Sequence, residues 1–354
     1  MNVKKILLLP GAFHAPSPRF RIIQFSPYFE RMGYKVKLRF PYPDRVLQTA
    51  NIKNEFWVKI HPRLSQLVRF FTTLWILRDF WRFDVIISNR DILPELKIHF
   101  LERIICRSKS KYIIDVDDAI YLGERREKMD EIFSNAFHIV AGNRHLLSYI
   151  SQINKNITII PTVINTDEIR PLGIENPIFT IGWMGSKGPT ILHLPLIFPA
   201  LKELVKIEGK KIRILIVSDY QPELPQEIAP FCDFKYWSVE NENKLLNEMS
   251  VGLMPLPDNE FEKGKCGFKA IQYMAVGIPA LVSPVGASAT IVDDGINGFH
   301  CNTIEDWIAR ITLLLYNQEK RVTMGVNARK KIITNFSINL AAKKWCQVLD
   351  NLNN

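Results

Sequence analysis

Residues 251–286 read VGLMPLPDNEFEKGKCGFKAIQYMAVGIPALVSPVG, and this stretch decides the fold of the chain. Its opening apolar run predicts a buried strand over residues 251–256. After a polar loop, apolar residues recur at helical spacing from Cys266 onward, and Gly277 ends that helix. A second apolar run follows at residues 280–283. The order of strand, loop, helix and strand is that of a βαβ unit, which predicts a parallel sheet covered by helices.

The loop within this stretch has the chemistry of an anion-binding site. It brings Gly264 and Gly267 to the start of the helix, beside Lys265 and Lys269. Glycine lets a ligand approach the backbone, and the free amides and dipole of a helix N-terminus favour negative charge. The two lysines add positive point charges. An ordinary βαβ turn without a ligand explains the same residues, so the pattern alone leaves both interpretations open.

The stretch resembles the donor-binding region of family-4 retaining glycosyltransferases, most of all a bacterial subgroup with a GK-x-GFK-x-x-QYMA-x-G-x-P run. Residues 264–279 carry that run, and residues 294–299, DGINGF, are similar to the family's DGxNGF. The resemblance extends upstream to the N-terminus. It implies an α/β chain with the GT-B fold, in which two Rossmann-like domains face each other across a cleft.

The same resemblance implies the domain boundaries. Residues 1–170 correspond to an N-terminal, acceptor-side domain, and residues 177–336 to a domain that binds the nucleotide-sugar donor. Residues 337–354 correspond to a helix that crosses back to the first domain. The length of 354 residues by itself predicts two domains.

Composition favours a soluble globular chain, with 47% hydrophobic and 23% charged residues. The first residues lead into only a short apolar run, so we expect no secretory signal, and no window is long enough for a membrane-spanning helix. The five cysteines are scattered without a CxxC pair, which argues against disulfides and metal sites. The expected location is therefore the cytoplasm.

The net charge of +10 lies entirely in residues 1–170, which hold 27 Lys and Arg against 17 Asp and Glu. A basic half favours an anionic partner such as a membrane surface, a charged acceptor or nucleic acid. Residues 64–83 mix aromatic and aliphatic residues with arginines, which predicts either a helix of the domain or a helix in the membrane interface. Attachment to the inner face of the membrane thus stays open. Nucleic acid is not expected, because the strongest motifs lie in the electrically neutral half.

The start of the chain fits a Rossmann-like domain, with a predicted strand over residues 3–9, a loop at Gly11 and a helix over residues 19–31. The loop lacks a GxGxxG pattern, so we expect no nicotinamide cofactor. The resemblance implies that Gly11 contacts the donor. Arg19 and Arg21 are the candidates for binding the acceptor or a phosphate there, and a solvated helix face is the alternative.

Polar residues follow two predicted strands of this domain. The run Asn89-Arg90-Asp91 follows one of them, and the run Asp115-Val116-Asp117-Asp118 ends the next. Carboxyl ends of parallel strands face the crevice where ligands bind, and the second run resembles the subgroup's DxDD segment. We predict that Asp117 and Asp118 are the catalytic pair that holds sugar hydroxyls, with capping of the next segment as the alternative for one of them. No metal site is predicted, because the GT-B class works without a catalytic metal.

The second domain begins with a predicted strand and a turn at Ser186 and Lys187, which offers a second place for phosphate. Many family members have an Arg in this turn, and that Arg is not matched here. Trp237 lies where the resemblance places the nucleobase, and its ring either stacks on the base or packs in the core.

The chain departs from the wider family where many members carry two glutamates separated by seven residues. Those positions fall on Gly264 and Gln272. The Gln272 amide can still pair with ribose hydroxyls, because it both donates and accepts hydrogen bonds. We predict that Lys265 and Lys269 supply much of the phosphate affinity that the missing Arg would otherwise give.

Together with these residues, the resemblance implies a retaining glycosyltransferase that moves a sugar from a nucleoside diphosphate to a hydroxyl acceptor. The resemblance implies a bacterial surface glycan or lipid-linked glycan as acceptor, and no cofactor beyond the nucleotide-sugar substrate. The alternative is a non-catalytic nucleotide-sugar or glycan-binding protein on the same fold. The predicted donor-binding residues are Gly11, Ser186, Lys187, Trp237, Lys265, Cys266, Gly267, Phe268, Lys269 and Gln272.

Overall fold

A computed structural model of the chain describes residues 4–11, 16–40, 71, 74, 76–94, 99–174 and 176–352. The chain divides into two compact units, one formed by Met1–Thr162 with Ala341–Asn354 and the other by Val163–Leu340. Each unit is built on one six-stranded sheet, and the strand pairings found in the described residues are parallel. The prediction of an α/β chain with two Rossmann-like domains is confirmed.

The sheet of the first unit has the order β2-β1-β3-β4-β5-β6. All five residues of β3 are buried, as expected for a parallel strand covered on both faces. The chain moves from β1 to β2 on one side and then to β3 on the other, so the order reverses between β1 and β3. Ligands of open α/β sheets bind at the carboxyl ends of such a pair. The strands are β1 (Lys5–Leu9), β2 (Lys35–Leu38), β3 (Val85–Asn89), β4 (Lys111–Val116), β5 (His138–Ala141) and β6 (Ile157–Ile159).

The predicted helix over residues 19–31 is two helices in the structure, separated by a 3₁₀ turn at Ile23–Phe25. Pro27 lies in the first turn of the second helix. Proline has no backbone N–H to continue the preceding helix but fits a helix start, which explains the break. The helices of this part of the chain are α1 (Pro16–Arg21), α2 (Ser26–Arg31), α3 (Phe100–Arg107), α4 (Arg126–Asn135) and α5 (Arg144–Ile150).

The segment over residues 64–83 lies mostly outside the described residues. Residues 76–80 are helical, and Ile76 and Phe80 are buried in the core of the first unit. Its described residues also include three exposed apolar side chains, namely Phe71 at 61%, Leu74 at 38% and Trp81 at 68% exposure. Across the described parts of the chain, the structure shows no helix that is long and apolar enough to cross a membrane.

The sheet of the second unit has the order β12-β11-β10-β7-β8-β9, with its reversal between β7 and β10. The strands β7 and β10 pair directly, through Val251 with Ile181 and Gly252 with Gly182. Their carboxyl ends therefore form the second switch point. The strands are β7 (Phe179–Met184), β8 (Ile212–Ser218), β9 (Cys232–Tyr236), β10 (Val251–Met254), β11 (Ala280–Val282) and β12 (Gly298–His300).

The polar loop predicted before Cys266 contains a short helix, Glu260–Lys263. The side chain of Asn259 accepts a hydrogen bond from the Glu262 amide at 3.0 Å and so caps this helix. One helical turn is too short to show apolar periodicity, which is why the sequence pattern missed it. The helices of this unit are α6 (Lys187–Leu192), α7 (Phe198–Glu208), α8 (Glu242–Asn247), α9 (Glu260–Lys263), α10 (Phe268–Ala275), α11 (Ser288–Ile291), α12 (Ile304–Tyr316) and α13 (Gln318–Asn335).

Helix α10 lies directly on strand β10 because a glycine opens the space. A Cβ atom added to Gly252 would lie 2.1 Å from Cγ of Tyr273, the central aromatic residue of α10. The helix starts at Phe268, two residues later than predicted, because Gly267 has a φ of +66° and takes the position before the first turn. Only glycine adopts that backbone conformation readily.

The final helix, α14 (Ile338–Asn351), packs within the first unit from Ala341 onward. Trp345 is buried there, with its ring centre 6.2 Å from that of Phe25 and 5.8 Å from that of Phe29. These three aromatic rings attach the C-terminal helix to the start of the chain.

Candidate functional site

Charged and polar side chains gather at the carboxyl ends of β1, β3 and β4 in the first unit. Asp115 of β4 is fully buried, and Arg21 of α1 is 2% exposed. Arg21 donates from Nε to Asp115 Oδ2 at 3.0 Å, and its Nη1 donates to the Ile160 carbonyl oxygen at 2.7 Å. Burial raises the pKa of Asp115, and the adjacent Arg21 guanidinium opposes that rise.

The buried ion pair contains Arg21, one of the two arginines predicted to bind the acceptor. Because the guanidinium of Arg21 is enclosed and hydrogen-bonded to Asp115, it has an internal partner, and its contact with the acceptor stays a prediction. Arg19 is half-buried, with its guanidinium carbon 4.4 Å from the centre of the Phe20 ring. Its acceptor contact stays a prediction.

The two predicted catalytic acids share one arginine. Nε of Arg90 donates to Asp117 Oδ1 at 2.8 Å, and its Nη2 donates to Asp118 Oδ2. Burial favours a higher pKa for Asp117, but Arg90, followed by Arg21 and Ser17, outweighs it and holds the pKa below its usual range. Asp117 is therefore an ionised carboxylate that accepts hydrogen bonds at neutral pH.

Ser17 and Asn89 complete this cluster. Asn89 Nδ2 donates to Asp115 Oδ2 at 3.1 Å, and Ser17 Oγ donates to Asn89 Oδ1 at 3.0 Å. The loop at Gly11 lies nearby in the fold, since a Cβ atom there would be 3.7 Å from Cγ of Pro18. No role was predicted for Asn89 or Arg90 from the sequence, although their position at the end of a buried strand was the available signal.

Residues of the second unit that were predicted to bind phosphate lie at the switch point of its sheet. The hydroxyl of Tyr273 accepts a hydrogen bond from the Met184 amide at 2.9 Å and donates one to the Leu253 carbonyl at 3.2 Å. Helix α10 is thereby fixed to the ends of both β7 and β10. A Cβ atom at Gly185 would lie 3.0 Å from Cε of Lys269, so the turn after β7 lies against the lysine of α10.

Both lysines of this region have defined neighbours. Nζ of Lys269 lies 5.1 Å from the centre of a Trp183 ring, and Nζ of Lys265 lies 4.8 Å from that of Phe261. Lys265 Nζ is also 3.8 Å from Oε2 of Glu262. These contacts hold two positive charges close to the start of α10, where the helix dipole favours an anion.

A buried pair of side chains, the carboxyl group of Glu262 and the imidazole of His193, lies next to Lys265, and it was not predicted from the sequence. Oε1 of Glu262 is 3.1 Å from Nε2 of His193, and both side chains are buried. Burial works to raise the pKa of Glu262, but the His193 hydrogen bond and the charges of Lys265 and Lys269 lower it overall. The two residues are far apart in sequence, so no local pattern pointed to their contact.

Gln272 has an internal partner as well. Its amide is buried and donates from Nε2 to Oε1 of Glu242 at 2.5 Å, with the Met184 sulfur at 3.8 Å. Glu242 is itself buried in α8. The predicted contact of Gln272 with ribose stays a prediction, and the structure adds the Glu242 carboxylate to its surroundings.

The other predicted donor residues differ in exposure. Ser186 and Lys187 are exposed at the start of α6, where the Ser186 hydroxyl makes no capping bond to the helix. Trp237 is half-buried just beyond β9, and its amide donates to the Ser218 carbonyl at 3.1 Å. Cys266 and Phe268 are half-buried on either side of Gly267. Within the described residues, no group of three His, Cys, Asp or Glu side chains is placed to hold a metal ion.

Comparison with known proteins gives one family match and many structural ones. Residues 178–317 match the family model described as Glycosyl transferases group 1. No curated protein matches the chain.

Three similar structures each extend over almost the whole chain. HepE of Anabaena, solved with UDP and glucose, has a TM-score of 0.71 at 14% identity and covers 98% of this chain and 99% of its own. A glycosyltransferase of Rickettsia africae has the same score and identity and covers 98% of both chains. Sucrose-phosphate synthase of Thermosynechococcus elongatus has a TM-score of 0.74 at 14% identity and covers 99% of both. At this identity the likeness shows the fold, which is that of GT-B glycosyltransferases. The family match over residues 178–317 and the shared fold together support a glycosyltransferase.

Proposed function

We propose that the chain is a retaining glycosyltransferase that transfers a sugar from a nucleoside diphosphate to a hydroxyl acceptor. The observation that carries the proposal is the contact of Gly185 with Lys269 at the switch point of the second sheet, together with the charge of Lys265, which acts with that of Lys269 on the same carboxylate, Glu262. These residues lie inside the region that matches the glycosyltransferase model. Switch points are where open α/β sheets bind nucleotides.

The diphosphate would bind at the start of α10. The first backbone N–H groups of a helix point out of its N-terminal end, and the helix dipole adds partial positive charge there. Lys265 and Lys269 supply two full charges beside them. Because negative charge grows on the diphosphate as the sugar–phosphate bond breaks, fixed positive groups stabilise the transition state more than the bound substrate.

The acids of the first unit would hold sugar hydroxyls. Asp117 and Asp118 lie at the carboxyl end of β4, and Arg90 keeps Asp117 ionised, so it accepts hydrogen bonds from hydroxyl groups. We assign no protein nucleophile, and in the proposed reaction a leaving phosphate oxygen takes the proton of the acceptor. No metal or cofactor is part of the proposal.

UDP-sugars are the first donors to test, because structures with the same fold contain UDP with glucose and UDP-glucose. For the acceptor, a bacterial surface glycan or a lipid-linked glycan is the proposed class, which rests on the sequence resemblance alone.

The experiment begins with a thermal-shift screen against UDP, GDP, ADP and CMP. A ligand present at a hundred times its Kd stabilises the folded state by about 2.7 kcal/mol, so the cognate nucleotide should raise the melting temperature. The matching nucleotide sugar, labelled in the sugar, should then release the nucleoside diphosphate. Binding without any turnover would favour a non-catalytic nucleotide-sugar-binding protein instead.

Two variants test the acids in the same assay. Asp117→Asn and Asp118→Asn should keep the affinity for the nucleotide, because the diphosphate is proposed to bind the second unit, and at least one should lose turnover. Full turnover in both variants would remove these acids from the mechanism.

A further inference from the structure

One residue of the first unit holds an uncommon backbone conformation. Arg90 has a φ of +61°, and among the described residues it is the single non-glycine with a positive φ. A side chain costs free energy in this conformation because its Cβ approaches the backbone carbonyl oxygen. Strain of this kind persists only where the surrounding structure compensates for it, and it is common at functional sites.

The residues around Arg90 show what compensates for the strain. The Arg90 amide donates to the Asp115 carbonyl at 2.8 Å, which ties the turn after β3 to the end of β4. From this turn the guanidinium reaches both Asp117 and Asp118. A planar guanidinium with several donors in a fixed fork can bridge two carboxylates, which a lysine ammonium does less well.

Asp91, the next residue, gives the same loop a second set of contacts. Asp91 is fully buried, and its Oδ2 lies 2.7 Å from Nζ of Lys128, while Oδ1 accepts a hydrogen bond from Arg125. The Arg90–Asp91 turn therefore contacts the segment after β4 at both ends, at Asp117 and Asp118 and again at Arg125 and Lys128.

We propose that Arg90 is the positioning residue for the two acids, and that its strained backbone is kept because it aims the guanidinium at Asp117 and Asp118 together. The inference rests on the proposed function, in which these acids hold sugar hydroxyls. Two neighbouring carboxylates repel each other, and the shared arginine offsets that repulsion and fixes both groups in one orientation. Among the described residues, the charged and polar groups that act on the Asp117 carboxyl group include Arg90, Arg21, Ser17, Asp115 and the adjacent Asp118.

Three variants of Arg90 separate the effect of its guanidinium from the effect of its strained backbone. Arg90→Gly removes the guanidinium and also releases the strain, since glycine adopts positive φ freely. Arg90→Ala removes the guanidinium and keeps the strain, and Arg90→Lys keeps the charge without the fork. We expect Arg90→Gly to melt at no lower temperature than Arg90→Ala, yet to lose turnover about ten- to a hundredfold, the range for a lost charge-assisted hydrogen bond.

Further measurements show whether the loss of turnover comes from the two acids or from weaker nucleotide binding. The affinity for UDP should match the parent in every variant, and Arg90→Lys should recover part of the turnover. Arg103→Gln is the matched control, because it removes another arginine–carboxylate pair of this unit, the exposed one with Glu131. That control should keep full activity.

A readout independent of catalysis keeps the proposal testable even if the proposed function fails. Carbon NMR of the aspartate carboxyl groups should show the pKa of Asp117 rising in Arg90→Gly, because the largest favourable charge is gone. An unchanged titration of Asp117, or full turnover in Arg90→Gly, would overturn the proposal. A parent protein that binds no nucleotide while the Asp117 titration shifts as expected would sink the proposed function and leave the positioning role standing.

Discussion

Glu262 is a buried residue that contacts both a histidine and a lysine next to the proposed phosphate site. Its carboxylate lies between His193 on one side and Lys265 on the other, at 3.1 and 3.8 Å. The pKa of Glu262 is lowered in the folded protein. A carboxyl group of this kind stabilises the fold above its unfolded pKa of about 4.3, and that contribution is lost as the pH falls through the folded value.

The first prediction follows from the lowered pKa of Glu262. Glu262→Gln should lower the free energy of unfolding at pH 7 by about 1.5–3 kcal/mol, because a neutral amide replaces the carboxylate beside His193, Lys265 and Lys269 and the charge-assisted contacts are lost. Between pH 5 and 3 the parent should lose more stability than the variant, which lacks the titrating group. Urea unfolding at several pH values measures both effects. Glu260→Gln, on the exposed side of the same helix, should behave as the parent does, and equal behaviour of the two variants would refute the role of Glu262.

At the scale of single residues, part of the candidate site could be predicted from the sequence. Asp117 and Asp118 were placed correctly at a strand end, because the position of polar residues after an apolar run is a local pattern. The pairing of Arg21 with Asp115 and of His193 with Glu262 was not, because each joins residues many positions apart and depends on the tertiary fold. The sequence therefore indicated candidate residues but not which of them pair with each other inside the fold.

At the scale of elements, the contact between α10 and the sheet decides where the site forms. Gly252 gives the space that the ring of Tyr273 fills, and the Tyr273 hydroxyl then bonds to the ends of β7 and β10. A larger residue in the strand would push the helix away and move Lys269 from the turn at Gly185.

The second prediction is that Gly252→Ala destabilises the protein and weakens nucleotide binding together. The added Cβ would overlap the Tyr273 ring, and overpacking of a close-packed core typically costs about 1–3 kcal/mol. Gly188→Ala is the control, because a Cβ atom there meets no neighbour within 4 Å. Thermal melting with and without UDP measures both effects. A Gly252→Ala protein as stable as the parent would show that α10 can move without cost.

Elements with strong periodicity were the ones that the sequence predicted well. Helix α10 and the strands β1, β10 and β11 were expected near their observed bounds, because apolar residues at helical spacing predict a helix and an unbroken apolar run predicts a buried strand. The break between α1 and α2 and the single turn of α9 were missed. A proline and a capping asparagine set those features, and each acts over only a few residues.

At the scale of the whole molecule, the positive charge of the first half is the main feature still without a function. Phe71, Leu74 and Trp81 are all exposed, and these three side chains are named the apolar face of the first unit. Arginines accompany them in the sequence. We propose that this face binds an anionic membrane surface, since apolar and basic groups together favour the interface.

The third prediction tests that face with vesicles. The protein should bind vesicles that contain anionic lipid, and binding should weaken as salt rises, because salt screens exposed charges. Trp81→Ala should bind less, whereas Leu192→Ala, an exposed apolar residue of the second unit, should bind as the parent does. Equal binding to neutral and anionic vesicles, or no binding to either, would contradict the proposal.

The central claim is that a nucleoside diphosphate binds at the start of α10, and calorimetry with UDP tests it most directly. Lys265→Ala and Lys269→Ala should each weaken UDP binding about ten- to a hundredfold, since each removes a charge-assisted contact to phosphate. Binding of uridine, which lacks phosphate, should be unchanged, and Lys263→Ala, an exposed lysine of α9, should leave both affinities as in the parent. If the parent binds UDP and both Lys265→Ala and Lys269→Ala bind it equally tightly, the phosphate site lies elsewhere and this account of the second unit is wrong.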